Sequence, residues 1–326
     1  MELRKIQRTS GGTFFVCLPK DWAERSGLSR GSIVSVSETA NARLCIDPKY
    51  GAERAPQVAV VKPSPLLNRE VIGNYLLGHD IVRVEAKGRI SPDDRERVKR
   101  VSSRLIGLEI IEEDYSQIVL QSLLEPTSFP PEKILRREYL IASGMHRDAV
   151  TALAEGDEQL ARNVIARDNE VDRLYFLLVR ILRTVIQYPN LSEKLGISPI
   201  DCLDYRLVAS FVEAIGDQSV QIAEKAVKLG GASIAKELLQ LILKLHGVVH
   251  EAHENALRAL FSHDISLAEG VRAEGKNVAD LFSEIETLTR VESSEIAAAV
   301  LATVSSINRI YDHSVDIADL VIPKLT

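Results

Sequence analysis

The chain has 326 residues, 45% hydrophobic and 26% charged, with a mean hydropathy of +0.00 and a formal net charge of −6. That length exceeds one typical core and suits two or three domains. No apolar run reaches the ~18 residues of a membrane span, and the first residues lack a signal peptide's apolar segment. Cys17, Cys45 and Cys202 form neither a disulfide framework nor a Cys-x-x-Cys site, so a cytoplasmic protein is expected. The charge is uneven: 8 Lys/Arg against 5 Asp/Glu over residues 1–50, but 21 against 29 over residues 132–326. A basic beginning could meet an anion such as DNA, and an acidic end could meet cations.

Residues 1–50 read as short strands around one short helix. Arg4–Arg8 and Phe14–Leu18 are strand-like, separated by the turn signal Ser10-Gly11-Gly12. Pro19 suits a first helical position and Gly27 a helix stop. Ser32–Ser37 and Arg43–Asp47 read as further strands, joined near Asn41. Residues 51–66 carry Pro56, Pro63 and Pro65 and read as a linker or an edge strand.

Residues 67–125 read as a small α/β domain. Ile81–Glu85 is a strand, and Ser91-Pro92-Asp93-Asp94 opens a helix to about Ile106, with Ser91 as N-cap and acids against the helix dipole. Leu108–Ile111 and Gln117–Leu123 follow as strands. Pro126, Pro130 and Pro131 mark a boundary.

Six helices are expected from there, at about 132–154, 157–188, 199–229, 233–262, 264–289 and 293–321. Gly156, Pro189, Pro199, Gly230-Gly231 and Pro323 punctuate them. Val164, Val171, Tyr175, Leu178, Leu182 and Val185 form a stripe of the kind that builds antiparallel bundles. Within this half, Ile215-Gly-Asp-Gln-Ser-Val-Gln-Ile-Ala-Glu224 is echoed by Ile310-Tyr-Asp-His-Ser-Val-Asp-Ile-Ala-Asp319. The echo divides the half into two three-helix copies, residues 132–230 and 231–326.

Asp168 and Asp172 lie four apart on the second helix, as do Glu213 and Asp217 on the third. Asp168 takes a stripe position where an apolar residue is due. A charge there is costly unless it is paired or bound to metal. Four carboxylates from neighbouring helices would suit a hard cation, and a solvated acidic face is the plainer alternative. Glu213-Ala-Ile-Gly-Asp217-Gln-Ser-Val-Gln-Ile-Ala-Glu224 resembles the signature of PhoU-type phosphate-uptake regulators, over residues 132–322. The resemblance implies that Asp168, Asp172, Glu213 and Asp217 bind divalent or trivalent metal ions, iron included. The second copy reads Lys276-x-x-x-Asp280 and Asn308-x-x-x-Asp312. With an ammonium and an amide at two ligand positions, Asp280 and Asp312 are expected to hold metal weakly or not at all.

Arg4-Lys-Ile-Gln-Arg8, the glycine turn and Phe15-Val-Cys-Leu-Pro19 resemble the AbrB/SpoVT type of swapped-hairpin DNA-binding domain. That resemblance implies a β-barrel interleaved from two chains, hence a homodimer, with Arg4, Lys5 and Arg8 presented to phosphates of double-stranded DNA. The alternative is a module for dimerisation with an ordinary basic surface. Phe14-Phe15 and Trp22-Ala23-Glu24 stand where DNA-binding members carry arginine.

His246, His250 and His253 share one helix face, with ligand spacing for a transition metal; the plainer reading is a solvated flank. Walker, Gly-x-Gly-x-x-Gly, Gly-x-Ser-x-Gly and His-Glu-x-x-His motifs are missing, so no catalytic residue is assigned and no enzyme is expected. The expected fold class is multidomain: an AbrB-like swapped-hairpin barrel, a small α/β domain and PhoU-like tandem three-helix bundles. The combination looks like the archaeal form of PhoU-related regulators. It implies a phosphate-responsive regulator that binds DNA through its N-terminal dimer and senses through the metal-binding bundle. The alternative is an inhibitory accessory protein docking on phosphate transporter components, its N-terminal domain only dimerising. A metal-storage bundle fits less well, because the second acid set is eroded.

Overall fold

The computed structural model describes residues 3–38, 43–48 and 56–323. The expected turn at Asn41 and residues 51–55 of the expected linker lie outside these. The chain divides into two compact units, residues 1–55 and 56–326.

In the first unit, β1 (Gln7–Arg8) and β2 (Phe14–Phe15) form a short antiparallel hairpin, α1 spans Lys20–Arg25, and β3 (Ser35–Glu38) pairs antiparallel with β4 (Leu44–Asp47). The strands are shorter than the sequence suggests, and no closed barrel appears among the described residues. The reason is visible in the burial: none of the described side chains of this unit is buried. Phe14 is 67% exposed, Ile33 71% and Leu44 71%. The apolar alternation is present, but the described residues of this unit do not pack it into a core.

The second unit opens with a four-stranded sheet of order β5-β6-β8-β7, from β5 (Val58–Val61), β6 (Ile81–Glu85), β7 (Leu108–Glu113) and β8 (Gln117–Ser122). Val58–Val61 is therefore an edge strand of this sheet rather than linker. It runs parallel to β6, which requires a crossover, and α2 (Leu67–Leu76) supplies it. That helix goes unread in the sequence. The α3 helix (Pro92–Ser103) starts as its cap predicts: Asp94 N–H donates to Ser91 Oγ at 3.0 Å. Leu67, Val71, Tyr75, Val98 and Val101 close the core over the sheet.

Pro126–Ser128 forms one 3₁₀ turn before the helical part. Its helices are α4 (Pro131–Glu155), α5 (Glu158–Gln187), α6 (Pro189–Leu195), α7 (Asp201–Leu229), α8 (Lys236–Ser262), α9 (Ile265–Ala273), α10 (Gly275–Thr289) and α11 (Ser294–Asp319). The stripe of α5 is buried at Val164, Val171, Leu178, Leu182 and Val185. The two copies match in detail. Ser219 and Ser314 are both fully buried, and each donates at 2.7 Å to the carbonyl four residues back, Ile215 and Ile310. Gly156 and His263 both end their helices in the left-handed region, and Asp157 and Asp264 then cap the next helix.

The structure departs from the six expected helices in two places. Residues 189–195 form an extra short helix, α6. The fifth expected helix breaks at Glu274 into α9 and α10. Tyr311 explains the break, because its hydroxyl donates to the Val271 carbonyl at 2.8 Å and so takes an acceptor that a continuous helix would use. In the first copy the corresponding residue is Gly216, which packs on Val171 of an unbroken α5.

The α/β part is fixed to the bundle by Arg180 of α5, whose guanidinium donates to the carbonyls of Tyr75 at 2.6 Å and His79 at 3.0 Å. It also lies 4.8 Å from the Tyr75 ring centre. Replacing Arg180 with Met leaves two inward-facing carbonyls without their charge-assisted donor. We expect a loss of about 2–4 kcal/mol. Urea unfolding followed by far-ultraviolet circular dichroism measures it, since the only tryptophan, Trp22, lies in the other unit. An unchanged midpoint would show that the two parts dock without this arginine.

Candidate functional site

The seam between α5 and α7 gathers the four acids. Asp168 and Asp172 project from α5 one turn apart, and Glu213 and Asp217 from α7. Burial pushes Asp168 up to about 6, with the charges of Asp172 and Asp217 adding to it. Burial likewise lifts Glu213 to about 7, helped by Asp217, Asp172 and Asp168. Asp217, at the exposed rim, is raised by burial and then by Asp172. The four carboxylates therefore share one electrostatic environment.

Three neighbours were not legible in the sequence. Glu138 of α4 is fully buried, and neither of its carboxylate oxygens has a hydrogen-bond partner. Burial, reinforced by the charge of Glu213, raises it well above the usual carboxylate range, which favours its neutral form. Arg104, which ends α3, reaches across from the α/β part to pair with Asp172. Arg206 adds positive charge that acts on Glu213 and Glu138.

An oxygen-only donor set with clustered like charge, and an orphaned buried carboxyl beside it, are the chemistry of a hard-cation site, although any cation must displace the protons that the raised acids retain. Among the described residues, however, no group of three or more His, Cys, Asp or Glu side chains is arranged to hold a metal ion. Part of the charge that a cation would neutralise is met by the guanidinium of Arg104.

The second copy does not gather its equivalents. Lys276, Asp280 and Asp312 are exposed, and Asn308 is half-buried. Asp312 is raised by burial, and its charged neighbours are His313, Asp316 and Arg309 rather than Lys276 or Asp280.

His246, His250 and His253 of α8 do share a face, but that face is only partly open to solvent. His253 is buried, His246 and His250 are half-buried, and the buried His146 of α4 joins them. In the other unit, Arg4, Lys5 and Arg8 lie on an exposed surface. The Arg8 guanidinium donates to the Gly12 carbonyl at 3.4 Å and sits 5.3 Å from the Phe14 ring centre.

The PhoU domain family matches this chain twice, over residues 135–226 and 242–321. A Caulobacter vibrioides protein named phosphate-specific transport system accessory protein PhoU homolog is 24% identical over 192 residues, 57% of this chain and 82% of its own length. A Methanothermobacter thermautotrophicus protein of the same name, homolog 1, is 25% identical over 224 residues, 66% of this chain and 98% of its own length. Among solved structures, PhoU from Pseudomonas aeruginosa superposes with a TM-score of 0.53 at 22% identity, covering 59% of this chain and 93% of that one. The phosphate transport system regulatory protein PhoU from Streptococcus pneumoniae gives 0.50 at 16% identity, covering 59% and 91%. Residues 1–134 lie outside the family match.

Raised carboxylates stabilise the fold while protonated and cost stability once ionised. For Asp168 and Glu213 this contribution is full below pH 4 and is lost as pH rises through about 6 and 7. Stability of the unmodified chain should therefore exceed that of Asp168→Asn/Glu213→Gln by less at pH 8 than at pH 5. Depressed imidazoles contribute in the opposite sense, but the difference between the two proteins cancels them. A pH-independent difference in urea midpoint would refute the shared acidic environment.

Proposed function

The chain belongs to the PhoU domain family, and from that membership we propose that it is an accessory regulator of a phosphate transport system. It acts by docking on transporter components from the cytoplasmic side. The observation that carries this reading is the double family match across both helical copies, joined to relatives whose names place them in phosphate-specific transport. No helix among the described residues is long and apolar enough to cross a membrane, so contact with a transporter would be peripheral.

The acid quartet is the sensing element in this proposal. A hard divalent or trivalent cation, iron among the candidates, would supply positive charge to Asp168, Asp172, Glu213 and Asp217. Arg104 supplies positive charge to Asp172 from the α/β part. Asp172 therefore links the condition of the seam to the docking of α3. A coupling of about 1–3 kcal/mol suffices for useful regulation.

A second reading rests on the N-terminal unit. It lies outside the family match, buries none of its described side chains and displays Arg4, Lys5 and Arg8. Those properties favour pairing with a second copy, and the basic hairpin could then meet DNA phosphates.

The two readings separate in one variant. Alanine at Arg4, Lys5 and Arg8 should leave control of phosphate uptake unchanged in cells if transporter docking is the mechanism. If the DNA reading holds, the same variant must bind duplex more weakly, with a shallower salt slope, and regulation must fail. For the quartet, metal analysis of the purified chain should show cation content that falls on replacing Asp168 and Asp217 with Ala. Content near zero in the unmodified protein after reconstitution would eliminate the cation from the scheme.

A further inference from the structure

Four imidazoles meet between α4 and α8, far more of the chain's seven histidines than a solvated flank would collect. His146 lies at the centre. Its Nε2 is 3.2 Å from His246 Nδ1, and its Nδ1 is 3.2 Å from His253 Nε2. His253 Nδ1 is in turn 2.9 Å from the Tyr139 hydroxyl, and His250 Nε2 is 3.3 Å from Ser143 Oγ. The ring centres of His146, His246 and His250 are 4.5, 5.5 and 6.0 Å apart.

Those separations have a chemical meaning. Metal–nitrogen bonds of about 2.0–2.1 Å place the ring centres of tetrahedral imidazole ligands roughly 5 Å apart. The three rings already stand at that spacing. His146 and His246 are hydrogen-bonded to each other, however, and His250 to Ser143, so no three donors surround one point among the described residues until a cation replaces those bonds.

The partners behind the rings complete the site. A ligating imidazole must offer one nitrogen to the metal and donate its other N–H to a fixed acceptor. His146 can donate from Nδ1 to His253, which can donate onward to the Tyr139 oxygen, leaving His146 Nε2 free to coordinate on the side of His246. On the outer side, His246, His250, Glu254 and Arg147 line a surface depression of about 430 Å³, which gives a cation a path in from solvent. Glu254 brings negative charge to His250, against the positive charge of Arg147.

We propose that His146, His246 and His250 form a binding site for a divalent transition-metal cation of the zinc class, separate from the acid quartet. His253 and Tyr139 act as positioning residues that fix the tautomer of His146. Imidazole nitrogen favours zinc, copper or nickel, whereas the carboxylates of the α5–α7 seam favour harder ions. The two clusters are thus chemically selective for different metals.

The test uses the full chain, Zn²⁺ in titration calorimetry, and Co²⁺ as a visible-absorption probe of nitrogen-rich tetrahedral coordination. Three variants separate the possibilities: His246→Gln/His250→Gln, at half-buried positions that tolerate an amide; Tyr139→Phe; and Asp168→Asn/Asp217→Asn. The proposal expects tetrahedral Co²⁺ absorption displaced by Zn²⁺ in the unmodified chain and in the acid variant. It expects at least a tenfold weaker Zn²⁺ affinity in the histidine variant, and about a tenfold weakening in Tyr139→Phe with the fold intact by circular dichroism. Equal affinity in the unmodified chain and the histidine variant would overturn it. So would loss of the absorption in the acid variant, which would place the cation at the quartet, or absence of tetrahedral absorption altogether.

Discussion

Packing one helix against another removes water from whatever lies on the shared face, and in this bundle that face includes ionisable groups. Burial is the leading cause of the shifts at Glu138, Asp168 and Glu213 on one seam and at His146, His246 and His253 on another. Desolvation favours the neutral form in both cases, and the two chemistries answer it differently. Neutral imidazoles can donate and accept along a chain, so His246, His146, His253 and Tyr139 satisfy one another without any charge. Carboxyls held together cannot do this as easily, and Glu138 is left with two unpartnered oxygens. The imidazoles meet their needs by hydrogen bonds, whereas the acids draw positive charge from the guanidiniums of Arg206 on α7 and Arg104 beyond the seam.

That dependence explains why the α/β part matters to the bundle. Arg180 holds it through the carbonyls of Tyr75 and His79, and Arg104 then reaches Asp172 from the end of α3. The first contact is buried and structural, since inward-facing carbonyls without donors are costly. The second is partly exposed and joins two charges in a position water can reach, so it is worth far less. A rigid anchor and a weak latch on the same pair of elements form an arrangement that can change locally without undocking.

The duplication was plain in the sequence because its evidence is local and periodic. The apolar stripe of α5, the Ser219 and Ser314 segments, and the punctuation at Gly156 and Gly230 each lie within a few turns of one helix. What escaped was cross-helix. Nothing within a turn of Glu138 or His146 marks them as members of a cluster, since their partners are 75 and more residues away in α7 and α8. His246, His250 and His253 showed their ligand spacing, but a solvated flank has the same spacing, and only the packing of α4 decides between them. The N-terminal hairpins are the converse case, with strand signals that exceed the strands formed, because the described apolar side chains of that unit find no buried surface to pack on.

Symmetry breaking between the copies follows from one substitution. Gly216 lets α7 lie close on Val171 of α5, which keeps α5 continuous and sets Glu213 and Asp217 beside Asp168 and Asp172. Tyr311 at the matching place in α11 cannot permit that approach. Its ring stands against Gly275, its hydroxyl takes the Val271 carbonyl, and the helix that should carry the second acid set splits into α9 and α10. Asp280 and Asp312 are exposed, and the charged neighbours of Asp312 are His313, Asp316 and Arg309 rather than Asp280. The change from glycine to tyrosine at this one place thus goes with both differences between the copies, the broken helix and the dispersed acids.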